Sequence, residues 1–235
     1  MGEQLKFTAV IPARAGSRRV KDKNIAPFGD SNLLVHKIRQ LKKVPSIDRI
    51  VVSSDSDEYL AMAKAEGVLA HKRDREYCIE GEGQTKSFGE VVRHIAESVE
   101  GEHIVWCQPT SPLVTPEIYE DAIQTYKKKV LEEGTNDSLA SVEVFQKHMW
   151  DDKGPLNYER GKKHVLSQDL PKWYFVTGVF IAPREKMIEW VHNIGANPFK
   201  YRLKKINCVD IDDELDLEVA RAWHDRVCDC TRAKA

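Results

Sequence analysis

Short β-branched, apolar runs recur along the chain with one helix-length segment between most neighbours, and this alternation restricts the possible fold more than any other feature. Residues 7–11 read as a buried strand that stops at Pro12. Over residues 33–41, Leu34, Ile38 and Leu41 recur at helical spacing, and Pro45 closes the segment. Residues 49–53 are a second short strand, and Asp55 and Ser56 stand where caps belong for a helix that runs through Lys64 and ends at Gly67. The pattern continues with a strand near 68–70, a helix over 87–97, a strand over 103–107, a helix from Pro116 to about Lys129 and a β-like stretch over 138–144. It resumes with a strand over 177–182 and closes with a helix over about 213–225. Such alternation predicts an α/β fold with βαβ units, a mostly parallel sheet and helices on both faces. Sheets of this kind bind ligands beyond the carboxyl ends of their strands, which here means the segments after Ile11, Ser53, Cys107 and Val144.

Between residues 145 and 173 the alternation breaks into a stretch holding Trp150, Gly154, Pro155, Tyr158, Gly161, Pro171 and Trp173. It reads either as a long loop or as an excursion that packs on a partner subunit. Structureless stretches of this length are uncommon in compact domains, and the tryptophans favour the excursion. The expected organisation is one domain over 1–235 that carries this excursion. The formal charge of -1, with 31% charged residues, offers no bulk attraction for nucleic acid or a membrane surface. Basic residues instead gather locally at Arg14, Arg18, Arg19, Lys21 and Lys23. Cys78, Cys107, Cys208, Cys228 and Cys230 form neither a secreted disulfide framework nor a C-x-x-C metal pair, and the last two read as free thiols on a frayed tail. The polar start, MGEQLK, lacks a signal-peptide apolar region and no run approaches a membrane span, so a cytoplasmic location is expected.

The segment after the first strand has the makings of an anion site. Gly16 lets the backbone turn and approach a phosphate, successive amides can form a nest, and Arg14 and Lys23 supply positive charge. Neither G-x-x-x-x-G-K-[ST] nor G-x-G-x-x-G is present, which disfavours a P-loop NTPase and a nicotinamide dehydrogenase. The competing reading is a solvated basic loop; the position directly after the first strand favours the site. Gln108 ends a buried strand on the ligand side, where its amide could read a base or ribose, and residues 109–112 form a rigid turn. On a strand, Asp210 and Asp212 would project to the same side, and two adjacent carboxylates repel unless a cation sits between them. Oxygen ligands suit Mg²⁺. Alternatively Asp212 and Asp213 cap the final helix, the role assigned to Asp213 and Asp216.

Residues 11–18 followed by Lys23 and Asn24 resemble the I-P-A-R-x-G-S-K/R…K-N loop of the acylneuraminate cytidylyltransferases, the CMP-sialic acid synthetase family. Val51 to Asp55 resembles that family's V-S-T-D strand end, Trp106 to Leu113 its L-Q-P-T-S-P-L segment, and Asp210 to Asp216 its D-I-D-x-x-x-D motif. The resemblance runs from about Phe7 to Asp225. It implies a Rossmann-like nucleotidyltransferase fold and transfer of CMP from CTP to the anomeric hydroxyl of a 2-keto sugar acid, with Mg²⁺ as cofactor and release of pyrophosphate. It also implies a homodimer in which the excursion reaches the partner's site. Arg14, Lys23 and Asp212 would be catalytic, and Asp210 and Asp212 would hold the metal. Ala13, Arg14, Gly16, Ser17, Lys23, Asn24, Arg73, Ser87 and Gln108 would contact the nucleotide, and Gln108 and Gln168 the acceptor. Two stretches depart from the family pattern: residues 74–84, and the region before Gly178, where Phe175 and Thr177 replace a polar pair. Those departures leave open a different acceptor, such as Kdo or a phosphonate, and a non-catalytic nucleotide-binding regulatory subunit.

Overall fold

In the first strand, β1 (Phe7–Pro12), Phe7, Ala9 and Ile11 point to one face of a sheet and Val10 to the other, and all four are buried. Burial on both faces requires helices above and below, which is what the computed structural model shows. It describes residues 6–17, 19–161 and 164–232, with residues 228–232 as backbone alone. Arg18 and the thiols of Cys228 and Cys230 therefore lie outside the described residues.

After β1 come a small hairpin, β2 (Pro27–Phe28) and β3 (Ser31–Asn32), then α1 (Leu33–Leu41), β4 (Arg49–Ser54), α2 (Asp57–Ala65) and β5 (Leu69–Lys72). They are followed by α3 (Phe88–Ser98), β6 (His103–Cys107), α4 (Pro116–Tyr126) and β7 (Ser138–Phe145). A second small hairpin, β8 (Trp150–Asp151) and β9 (Gly154–Pro155), precedes β10 (Trp173–Pro183), α5 (Arg184–Trp190), β11 (Pro198–Arg202) and α6 (Glu214–Arg232). The central sheet has the order β11-β7-β10-β6-β1-β4-β5, and only β10 runs antiparallel to its neighbours. α1, α2 and α4 cover one face through Leu34, Ile38, Tyr59, Ala63, Tyr119 and Ile123. α3 and α5 cover the other through Val92, Ile95 and Met187. A smaller third cluster joins Val20, Phe28 and Leu33 to Ile211, Leu217 and Ala220, so α6 closes over the basic loop. No helix of the described residues is long and apolar enough to cross a membrane.

Several boundaries differ from the sequence reading for local reasons. Ser56 caps α2 by accepting the Tyr59 amide, whereas Asp55 turns inward and does not cap. α4 ends at Tyr126 and passes into a wider π-turn over Lys127–Glu132. α5 and β11 were not anticipated: α5 has only seven residues with Met187 alone fully buried, and β11 is a half-exposed edge. α6 continues to Arg232 rather than fraying after Asp225.

β10 is longer than expected because residues 173–176 pair with β7 outside the packed sheet, where all four are exposed. The register then shifts between Val176 and Phe180 around Gly178, whose φ of 87° is in the left-handed region. The buried Ser141 hydroxyl satisfies this bulge by donating to the Thr177 carbonyl and accepting the Val179 amide at 2.7 Å. The span 145–173 is accordingly not structureless: it holds the β8–β9 hairpin and a short 3-10 turn at Ser167–Asp169.

One core side chain is out of keeping with its neighbours. Lys37 on α1 has no exposed surface, and its Nζ donates to the Ser111 carbonyl at 2.8 Å and the Tyr119 hydroxyl at 3.0 Å. Burial lowers its pKa to about 7. In the unfolded chain a lysine titrates near 10.4, so from pH 7 towards 10 the unfolded state binds a proton that the folded state does not, and stability rises with pH. The contribution is at most about 1.4 kcal/mol per pH unit. Urea midpoints at pH 7, 8 and 9 are expected to climb in the native protein relative to Lys37→Met; parallel trends in the two would contradict this titration.

Candidate functional site

Four neighbouring parallel strands, β1, β4, β5 and β6, deliver their carboxyl ends to one cleft of about 1030 Å³. The loop after β1 forms its floor. Ala13 donates its amide to the Ser53 carbonyl at 2.9 Å, anchoring the start of the loop. Gly16 has φ 73°, and a Cβ there would meet nothing within 4 Å, so glycine is required by the backbone angle rather than by space. Two side chains hold the loop's main chain from behind. Asp55 accepts the Ala15 amide at 2.9 Å, and the buried Asn24 donates to the Arg14 carbonyl at 2.9 Å. The loop is thus pre-shaped by protein groups, leaving Arg14, Arg19 and Lys23 directed at the cleft.

Facing this loop is the acidic segment before α6. It is not a strand, contrary to expectation, but Ile211 is fully buried and its amide bonds the Thr110 carbonyl at 2.8 Å. That anchor leaves the flanking Asp210 and Asp212 on the cleft side. Lys23 joins the two halves: its Nζ donates to the Ile211 carbonyl at 2.6 Å and lies 3.5 Å from Asp212 Oδ1. Arg19 also pairs with Asp212, at 2.8 Å. Burial pushes the Asp210 carboxyl above its usual range, and the neighbouring Asp212 adds to this against an opposing hydrogen bond from Thr110. A hard cation between the two carboxylates would relieve both effects. No group of three or more His, Cys, Asp or Glu among the described residues forms a closed metal cage. Two oxygen ligands therefore fit Mg²⁺ with the remaining positions left to water and substrate phosphates. Asp213 and Asp216 serve the helix: Asp216 accepts the Asp212 and Asp213 amides, and Asp213 accepts the Asp216 amide.

The third wall follows β5. Arg73 is almost wholly buried, donates its amide to the Ser54 carbonyl at 2.8 Å, and stands beside Cys78 and Asp55, with burial lowering its pKa. Beyond it, Tyr77 stacks on His94 with centroids 4.0 Å apart, and Lys86 lies 5.1 Å over the Tyr77 ring. Glu80 reaches back across the opening to form an ion pair with Arg14.

Of the residues singled out in the sequence, Arg14, Gly16, Ser17, Lys23, Asn24, Arg73, Gln108, Asp210 and Asp212 line this one cleft. Ala13 is buried at the root of the loop. Two stand elsewhere. Ser87 is the N-cap of α3 in a reciprocal capping box with Glu90, which occupies its hydroxyl. Gln168 lies exposed on the 3-10 turn, its carbonyl accepting from Gln146, away from this chain's own cleft. Sequence reasoning missed Asp55, Arg19, Tyr77, Glu80 and Lys86 as lining residues. Asp55 carried a signal in the Val51 to Asp55 motif; the last three fall in a stretch with no motif. A second, more open depression of about 620 Å³ follows edge strand β11 and is lined by no carboxylate.

Residues 8–222 match the family described as cytidylyltransferase. A pseudaminic acid cytidylyltransferase of Campylobacter jejuni is 26% identical over 227 residues, covering 92% of this chain and 95% of that protein. An N-acylneuraminate cytidylyltransferase of Escherichia coli is 23% identical over 222 residues, covering 92% of this chain and 51% of that one. The chain thus spans about half the length of the N-acylneuraminate relatives it matches. Among solved structures, a CMP:2-keto-3-deoxy-manno-octonic acid synthetase complexed with CTP superposes with a TM-score of 0.66 at 15% identity, covering 94% of this chain and 99% of that one. With the family match spanning most of its length and the cleft built on the motif residues, the chain belongs to the cytidylyltransferase family.

Proposed function

We propose that this protein transfers CMP from CTP to a hydroxyl of a sialic-acid-like 2-keto sugar acid and releases pyrophosphate. The observation that carries the reading is the Lys23 bridge, which brings a pre-shaped cationic loop and a paired-carboxylate segment into one cleft. A triphosphate needs the first, and a divalent cation that accompanies it needs the second. Among the described lining residues, six cationic side chains outnumber four carboxylates, an excess suited to a polyanion that arrives with a cation.

In this reading the acceptor oxygen attacks the α-phosphorus in line, the bond to the β-phosphate oxygen breaks, and the hydroxyl proton passes to water. The reaction depends on positioning and electrostatics, so no nucleophilic side chain is required. Arg14 would exchange Glu80 for a phosphate oxygen, and Lys23, already beside Asp212, would stabilise the departing pyrophosphate. Asn24 and Asp55 would keep the loop amides aimed at the phosphates. Asp210 and Asp212 would hold Mg²⁺, which when bound would withdraw charge from the reacting phosphate. The two curated relatives named above carry different acids in their names, so relatedness alone does not choose the acceptor. Exposed Trp173, Tyr174 and Phe175 on the β7–β10 ribbon support a homodimer, with the excursion as its contact.

Pyrophosphate release from CTP and Mg²⁺ is expected with 2-keto sugar acids and not with phosphonates; CTP binding without turnover of any acceptor would overturn the enzymatic reading. Asp212→Asn should lower turnover roughly 1000-fold with unchanged circular dichroism, and near-native activity would remove its metal role. Glu80→Gln, which frees Arg14, should tighten CTP binding about 2- to 5-fold by calorimetry, the range of an exposed ion pair. Light scattering should give twice the chain mass at micromolar concentration, and Phe175→Asp should shift it towards the monomer; a native monomer would defeat the dimer.

A further inference from the structure

The turn after β6 takes much of its backbone hydrogen bonding from other parts of the chain. Pro109 and Pro112 have no N–H to donate, so the turn has more carbonyls than it can satisfy internally. Four successive carbonyls are taken by donors from other parts of the chain. The Thr110 carbonyl accepts the Ile211 amide at 2.8 Å, and the Ser111 carbonyl accepts Lys37 Nζ at 2.8 Å beside the longer bond from the Val114 amide at 3.3 Å. The Pro112 carbonyl accepts Gln40 Nε2 at 2.8 Å, and the Leu113 carbonyl accepts Asn207 Nδ2 at 2.7 Å. Two of the four donors lie on α1; of the others, Ile211 lies within the acidic segment and Asn207 just before it. The turn therefore rivets α1 to Asp210 and Asp212.

α1 in turn continues from the phosphate loop, and its first amide, Leu33, donates to the Ala26 carbonyl at 3.2 Å. The loop and the acidic pair are thus connected through a single helix. Lys37 is an expensive way to make this link, because it is fully buried and its oxygen partners are the neutral Ser111 carbonyl and Tyr119 hydroxyl. An apolar side chain of similar volume would fill the same space without the desolvation cost. What it would not supply is the short bond from α1 to Ser111, whose carbonyl would keep only the Val114 amide within its own turn.

We infer that Lys37, assisted by Gln40, is a positioning residue that fixes the turn from Gln108 to Leu113 against α1 and so sets Asp210 and Asp212 opposite the phosphate loop. This role rests on the nucleotidyl-transfer reading above and adds to it a residue with no contact to nucleotide or metal. Its removal should loosen the metal site selectively and leave the nucleotide loop, held by Asp55 and Asn24, as it is.

The test compares native protein, Lys37→Met, Gln40→Leu and Asp210→Asn, each checked for fold by circular dichroism. Mn²⁺ binding to the CTP complex is read by electron paramagnetic resonance, and CTP binding without metal by calorimetry. Lys37→Met should weaken Mn²⁺ binding about 10-fold, the lower end of what removing a support of a metal ligand costs, with metal-free CTP affinity unchanged. Gln40→Leu should shift Mn²⁺ in the same direction by less, and it decides the matter should Lys37→Met fail to fold. Native Mn²⁺ affinity in the folded variants, or an equal loss of metal-free CTP affinity, overturns the positioning role and leaves the proposed function standing. Equal Mn²⁺ binding by native protein and Asp210→Asn overturns the metal assignment and this inference with it.

Discussion

Like charges crowded at the cleft are the constraint around which the rest of the structure is arranged. At an effective dielectric of about 20, two cations 4 Å apart repel by about 4 kcal/mol, so a loop rich in arginine and lysine would not hold a fixed shape unaided. The chain interleaves carboxylates from three separate places. Asp55, after β4, grips the Ala15 amide; Glu80, beyond β5, meets Arg14; and Asp212, before α6, meets Arg19 and Lys23. The parallel sheet makes this possible because it brings to one end residues that are far apart in sequence. Each carboxylate also ties a distant segment to the loop, Asp55 from after β4, Glu80 from beyond β5 and Asp212 from before α6.

The strand and helix alternation was legible because burial on both faces of a parallel sheet leaves near-continuous apolar strands separated by helix-period stretches. The misses have specific physical causes. Asp55 precedes a helix and has the chemistry of a cap, so nothing local separates it from Ser56, which does the capping. Ser87 and Glu90 form a capping box whose S-x-x-E spacing is legible in the sequence, so the serine hydroxyl is engaged at the start of α3. Glu80 meets Arg14 across 66 residues, a pairing no periodicity encodes. The Asp210 and Asp212 geometry arises from one buried isoleucine and one amide bond rather than from strand alternation.

The cleft and the β7–β10 ribbon both lie beyond the carboxyl ends of the strands, yet they are built by different rules. Around the loop, the main chain is held by Asp55 and Asn24, and the motif residues converge. Around the β7–β10 ribbon, apolar side chains stand in solvent and the sequence departs from the family pattern. A cleft wall with many internal bonds tolerates little change, whereas an exposed ribbon is constrained mainly by what it touches.

Gly178 marks the boundary between these two regimes. The bulge centred there, satisfied by the Ser141 hydroxyl, uncouples the pairing of residues 173–176 with β7 from that of Val179 to Pro183 with β6. A single covalent strand thus behaves as two mechanical segments joined by a universal joint. Residues 173–176 follow β7 alone, whereas Val179 to Pro183 keep a continuous register with β6, so the two halves of the strand answer to different neighbours.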